Sequence, residues 1–259
     1  MSGEALRRRA IRVATAGWLV GWYWKVVFDV GHLREAFAWP IDIPSLPSLL
    51  RSPAIAAIAY VLPIAGAAAL WLGERRARIA GAAVLAVAAA MGCVHVEWFN
   101  DATFVTSFWT ALWIAWLAAA RDDELGRHGP LTARCVVAFV FLAGVVGKLN
   151  ASYLSGEAFY HLYFVQKDSW PYGALRAGVS DATLRTVARW FSRAVIAGEL
   201  GLALGPLVPH RAYVWAACAI IAFMVLSSTF YLFSVLASLA AILVASTLLA
   251  GAAQRATST

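Results

Sequence analysis

The sequence predicts an all-α, polytopic integral membrane protein, a bundle of about eight transmembrane helices with both termini in the cytoplasm. Three observations lead there. Hydrophobic residues make up 62% of the 259 residues and charged residues only 14%, against about 45–50% and about 25% in soluble domains. Several apolar runs reach the roughly 20 residues that cross the hydrocarbon core of a bilayer. The basic residues fall in short clusters between those runs, which is a topology signal. The formal charge of +7 therefore implies no nucleic-acid partner, and the lipid bilayer is the expected one.

The first helix is expected over 11–30. The N-terminus begins like a signal peptide, with Arg7, Arg8 and Arg9 ahead of an apolar run. That run carries Trp18, Trp22, Trp24 and Lys25 and ends without a small-residue cleavage site, so it reads as a retained helix. The Pro-rich stretch "WPIDIPSLPSLL" reads as an extended or turn-rich connection lying over the helix ends. Apolar runs then predict helices over 53–73, 79–98, 103–120 and 131–148. A second long connection, 150–189, is rich in apolar and aromatic residues and is expected to pack back into the bundle or lie at the interface. A sixth helix is expected over 190–208. The block 212–249 is too long for one crossing at about 1.5 Å per residue and reads as two helices with a turn near Ser227, Ser228 and Thr229. Seven or nine crossings are the alternatives. With no internal repeat or low-complexity tract, 1–259 reads as a single domain without a separate extramembrane part.

Charge placement orients this layout. The short loops "ERRAR", "RDDELGRHGPLTAR" and "PHR" share one side, whereas "HVEWFNDAT" on the other holds no Lys or Arg. The positive-inside rule puts the first side, and both termini, in the cytoplasm. The expected location is a bacterial inner (plasma) membrane.

Ionisable groups within membrane segments cost about 2.5–3.5 kcal/mol each on insertion scales, so each calls for a reason. Lys25, Asp29, His95, Glu97, Lys148 and Glu199 are such groups. All but Glu199 lie toward the outer helix ends, with Asp101, Glu157 and His161 on adjoining loops, which suggests a polar chamber opening outward. Simpler readings stand beside that one. Lys25 and Asp29 have the i,i+4 spacing of a neutralising pair, His95 and Glu97 would meet interfacial water, and Glu199 would be a paired structural carboxylate, with Arg193 six residues before it. Lys148 could snorkel. It is followed, however, by Tyr153, Gly156, Phe159, Tyr160, Tyr163 and Phe164, an aromatic flap that would partly desolvate it, and a desolvated lysine is a better base. Cys93, Cys135 and Cys218 lie in apolar segments and read as small hydrophobes. No metal site is expected, because His95 and Glu97 have no third ligand within local reach.

The stretch "AGVVGKLNASYLSGEAF", with Gly147, Lys148, Leu149, Asn150, Tyr153 and Gly156, resembles the signature of the HTTM family, the membrane domain of vitamin K-dependent gamma-carboxylases and their bacterial relatives. "FDVGHLREAFAWP", "NDATFVTSFW" and "GELGLALGPL" resemble it more loosely. The resemblance implies a carboxylase of the quinol-epoxidising type, a lyase, with a reduced menaquinone or vitamin K-like quinone as cofactor. Lys148 would be the catalytic base at the outer, periplasmic face and would deprotonate the quinol for reaction with oxygen. The base so generated would take a proton from a glutamate side chain, to which CO2 adds. His95, Glu97, Asn100, Asn150, Tyr153, Glu157, His161 and Glu199 would line the substrate and cofactor chamber. The chain departs from the family pattern at Ala102 and Met224, where histidines are common. That departure leaves a second class open, a non-catalytic lipid- or quinone-binding partner or assembly factor for another membrane protein. A transporter is the third class, with less support.

Overall fold

Every element among the described residues is helical. The computed structural model describes residues 3–28, 53–95, 102–166, 170–228 and 232–256. The long helices are α1 (Gly3–Phe28), α2 (Pro53–Leu72), α3 (Arg75–His95), α4 (Ala102–Ala119) and α5 (Asp122–Lys148). After two short turns, α6 (Ala151–Leu154) and α7 (Glu157–Phe159), the chain runs through a π-helical segment, Tyr160–Gln166, and α8 (Trp170–Gly178). It ends with α9 (Asp181–Ala203), a 3-10 turn (Gly205–Leu207), α10 (His210–Ser227) and α11 (Phe233–Ala256). Among the described residues, four helices are long and apolar enough to cross a membrane: Ala102–Ala119, Asp122–Lys148, His210–Ser227 and Phe233–Gly251.

Three helix starts lie well before the sequence expectation: α1 begins at Gly3 rather than near 11, and for the two others the reason is identifiable. α5 begins at Asp122 rather than near 131 and runs through Pro130. A mid-helix proline normally ends a helix. Here Asp122, Asp123 and Glu124 occupy the first turn, where negative charge complements the helix dipole. α9 begins at Asp181 rather than near 190. Ser180 caps it, its Oγ accepting from the Thr183 amide at 3.3 Å, as serine does at helix starts. The 150–189 connection is thus largely helical.

The chain divides into two compact units, Met1–Val136 with His210–Thr259, and Val137–Pro209. In the first, α1 lies against α11 through Gly17 and Gly21. A Cβ at Gly17 would stand 2.1 Å from the Ala241 Cβ, and one at Gly21 2.5 Å from the Ser234 carbonyl oxygen. This is the small-xxx-small contact that lets membrane helices approach closely. Trp18 and Trp22 stack at 4.8 Å between centroids. The Trp18 indole donates to the Ser107 carbonyl at 2.7 Å, and Trp22 meets Phe104 edge-on at 5.2 Å. A buried indole usually finds such an acceptor, whereas that of Trp22 has none among the described residues. In the second unit Phe159, Phe164, Tyr172, Leu184 and Ala188 form the core, with Tyr160, Tyr163, Val187 and Val195 packed around it.

Candidate functional site

The site is built at the last turn of α5. Lys148 is the final residue of that helix, a position where a cation complements the helix dipole. Its ammonium donates to both Glu199 oxygens at 2.9 Å and to the Gly144 carbonyl one turn back at 3.3 Å. An ammonium has three protons to give, so every one has an acceptor. The Lys148 side chain is 25% exposed and that of Glu199 only 7%. Gly144 makes room for the pair, since a Cβ there would sit 3.2 Å from Glu199 Oε2 and 3.4 Å from Lys148 Nζ. The Tyr153 ring lies over the ammonium at 5.8 Å, within cation–π range. Burial first, then the Glu199 and Tyr163 charges, push the Tyr153 phenol above its usual range, so this hydroxyl stays protonated.

Asn150 explains why the chain turns sharply after the lysine. Its side-chain carbonyl accepts from the Tyr153 amide at 3.0 Å, and its amide donates to the Gly147 carbonyl at 3.0 Å. It caps the end of α5 and the start of α6 at once. Gly156 then takes φ 86°, a left-handed conformation open to glycine at little cost. A side chain would also collide there, because a Cβ would lie 2.5 Å from both Cα and N of Arg189.

From these turns onward the segment is fastened along one face of α9. The Ser192 hydroxyl donates to the Tyr153 carbonyl. Arg189 Nε donates to the Ser155 carbonyl at 3.3 Å. Arg185 donates to both Glu157 oxygens, at 3.1 and 2.9 Å, and to Asp181 at 2.9 Å. It also lies over the Tyr160 ring at 4.2 Å, and the Tyr160 hydroxyl donates to Asp181. Asp181, Arg185, Arg189, Ser192 and Glu199 recur at spacings of three, four or seven, so they share one helix face. They meet Tyr160, Glu157, Ser155, Tyr153 and Lys148 in reverse chain order. The result is an antiparallel polar seam, with the Lys148–Glu199 pair at its buried end and a solvent-exposed cluster at the other.

Of the residues singled out from sequence, Lys148, Glu199 and Tyr153 come together. Glu157 and His161, 2.8 Å apart, belong instead to the exposed cluster around Arg185. Asn150 acts on the backbone. Glu97, Asn100, Asp29 and Asp101, and the side chain of His95, lie outside the described residues. Arg193 sits over Trp190 at 5.6 Å, and the partner of Glu199 is a lysine on another helix. Asp181, Arg185, Arg189 and Ser192 escaped the sequence reading, although the i,i+4 spacing of Asp181 and Arg185 and the polar stripe through 181–199 would have marked them. No group of three or more His, Cys, Asp or Glu suited to a metal occurs among the described residues. Comparison with protein families, curated proteins and solved structures finds no match for this chain.

Proposed function

We propose that the chain is a gamma-carboxylase-like membrane protein of the HTTM type, in which the Lys148–Glu199 pair handles a proton of a reduced quinone. The observation that carries the reading is the bidentate pair itself, a lysine with a buried carboxylate partner beneath a tyrosine ring. The residues fit a ring bearing an acidic hydroxyl. A carboxylate offers about four lone-pair sites, and Lys148 takes one on each oxygen, which leaves Glu199 able to accept from a phenolic O–H. The part-exposed ammonium supplies positive charge where negative charge would develop. Tyr153, held protonated, is a further donor. As an ion pair the two present the Glu199 carboxylate as base, and the Lys148 amine would serve in its place once its proton had been handed to Glu199 across the 2.9 Å contact. A bound quinol would supply the reducing equivalents for reaction with oxygen.

The accompanying topology has eight crossings and both termini in the cytoplasm of a bacterial inner membrane, with Lys148 toward the periplasm. Its support is the arginine content of one set of loops, together with contacts in the first unit. Arg7 reaches Asp122 at 2.6 Å and Arg78 reaches Glu4 at 2.6 Å, so the start of α1, the α2–α3 link and the start of α5 share one end.

The second reading is a non-catalytic quinone- or lipid-binding partner. It is favoured by the full set of acceptors on the Lys148 ammonium and by Ala102 and Met224 where the family commonly has histidine. One assay separates the two. Protein in nanodiscs receives reduced menaquinone and oxygen, and quinone epoxide is followed by mass spectrometry, with quinone binding measured in parallel. Epoxide from the wild type, lost in both Lys148→Ala and a folded Glu199→Gln, supports the enzyme. Quinone bound without epoxide supports the binding partner. Failure of the protein to bind quinone at all defeats the enzyme and the quinone-binding partner, and leaves only a lipid-binding one.

A further inference from the structure

At one end of the first unit, five helix ends converge around arginines that have more donors than acceptors. Arg7 and Arg78 are 6% and 3% exposed. Arg7 donates to Glu4 at 3.2 Å, to Asp122 at 2.6 Å and to the Ala120 carbonyl at 2.6 Å. Arg78 donates to Glu4 at 2.6 Å, and Arg8 donates to the same carboxylate at 2.9 Å. Arg7 Nε and Arg78 Nε and Nη1 find no acceptor among the described residues, which is uncommon for buried polar atoms. The nearby carboxylates are largely committed. Glu4 serves three guanidiniums, Asp122 serves Arg7, and Asp123 and Glu124 engage Arg121, with the exposed Glu74 beside them.

The surface around this core is basic and apolar together. Arg8, Arg9, Arg12, Arg75 and Arg76 are exposed. Arg12 donates to the Trp71 carbonyl at 3.4 Å, and Arg75 donates to the Ala119 carbonyl. Against them stand Trp71 at 39%, Leu72 at 86% and Ile79 at 38% exposure. A tryptophan exposed at a helix end is an interfacial anchor in a membrane protein. A fork of guanidinium donors is the arrangement suited to phosphate oxygens. The N-termini of α1 and α3 add positive dipole ends, and Leu72 offers hydrocarbon to hydrocarbon.

We propose that this corner binds an anionic phospholipid, its phosphate held by Arg12, Arg76 and the neighbouring guanidiniums and its acyl chains along Trp71 and Leu72. Glu4, 38% exposed in its side chain, occupies the centre of the cluster and is shared by Arg7, Arg8 and Arg78, which leaves the exposed Arg12 and Arg76 guanidiniums to the lipid phosphate. The lipid contact needs no quinone and uses none of the residues of the Lys148–Glu199 site.

The test uses full-length protein, delipidated in a mild detergent and titrated with phosphatidylglycerol or phosphatidylcholine of matched chains, with bound lipid counted by native mass spectrometry. The variant Arg12→Gln/Arg76→Gln changes only exposed side chains, and Arg193→Gln is the control. Phosphatidylglycerol should bind at least tenfold more tightly than phosphatidylcholine. Each exposed basic residue near an anionic surface is worth roughly a fivefold factor, so the double variant should lose about 30-fold while the control keeps wild-type affinity. Equal binding of the two lipids, or a double variant that binds like the wild type, overturns the proposal. Displacement of phosphatidylglycerol by inorganic phosphate alone would make the ligand a soluble anion and overturn the lipid assignment.

Discussion

Lys148 and Glu199 are unequal partners, because the carboxylate is buried and the ammonium is a quarter exposed. Removing the lysine strands a buried negative charge, whereas removing the carboxylate leaves a cation that can turn outward. Breaking a buried pair costs about 3–5 kcal/mol, so Lys148→Met should lower the thermal midpoint in nanodiscs more than Glu199→Gln does. Lys148→Met/Glu199→Leu should recover most of the loss, and a double variant no better than Lys148→Met alone would show that the pair contributes through something other than charge. Gly156→Ala is a second test at this scale. It forces a Cβ into left-handed backbone, at about 1–2 kcal/mol, and into Arg189 at 2.5 Å. Thermal unfolding should show a loss beyond the strain alone, and Arg189→Ala should not rescue it, because the clash is with backbone atoms. Lys148 stood out in the sequence because it closes an apolar run, where an ionisable group is costly and calls for a partner. Its partner did not, because Glu199 lies 51 positions away and local spacing pointed to Arg193.

α9 shows how an element takes its character from what it grips. Its arginines and carboxylates make it look too polar to be packed against anything, yet the seam to residues 148–160 uses nearly all of them. Arg185 is the hub of the exposed end. Its hydrogen bonds hold the Glu157 carboxyl below its ordinary value of 4.5, and hydrogen bonds from Tyr160 and then Arg185 hold Asp181 below its ordinary 3.8. A carboxylate with a depressed folded value contributes stability above its unfolded value and loses it as pH falls through the folded one. The exposed end of the seam should therefore be intact at pH 5 and above and loosen below about pH 4. Amide hydrogen exchange across 157–166, corrected for intrinsic rate, should rise in that window. Arg185→Gln should raise it already at neutral pH and remove the acid step, and an unchanged acid step in that variant would mean that other carboxylates set it. The sequence reading treated 150–189 as a connection because helical periodicity there is broken by Gly156, by Pro171 and by the π-helical turn. Short elements held by contacts to a distant helix leave little periodic trace.

At the scale of the whole chain, two features bear on how the helices are arranged in a membrane, and they were unequally legible. Apolar run lengths announced a helical membrane protein, and the turn near Ser227 appears where the long final block predicted it. The close approach of α1 to α11 was also written in the sequence, as Gly17 and Gly21 four residues apart, and went unread because a lone pair of glycines is common in apolar segments. Gly21→Val should cost about 1–3 kcal/mol through overpacking, because the added side chain meets the Ser234 backbone rather than a side chain that could move. Topology is the larger question, and the arginine end of the first unit makes it testable without any assumption about function. The contacts of Glu4 with Arg78 and of Arg7 with Asp122 require the first turns of α1, α3 and α5 to lie on one side of the bilayer. α5, at 27 residues, extends about 40 Å, more than the roughly 30 Å of hydrocarbon, so its Lys148 end should emerge on the other side. In a background without the native cysteines, single cysteines at exposed Glu74, Arg121 and Ser155 can be probed in intact cells with a membrane-impermeant maleimide. Ser155→Cys should label from outside, whereas Glu74→Cys and Arg121→Cys should label only after the membrane is opened. Labelling of all three from the same side would mean that α5 does not cross and would remove the eight-crossing arrangement. Labelling of Arg121→Cys alone from outside would break the shared end that the arginine contacts define.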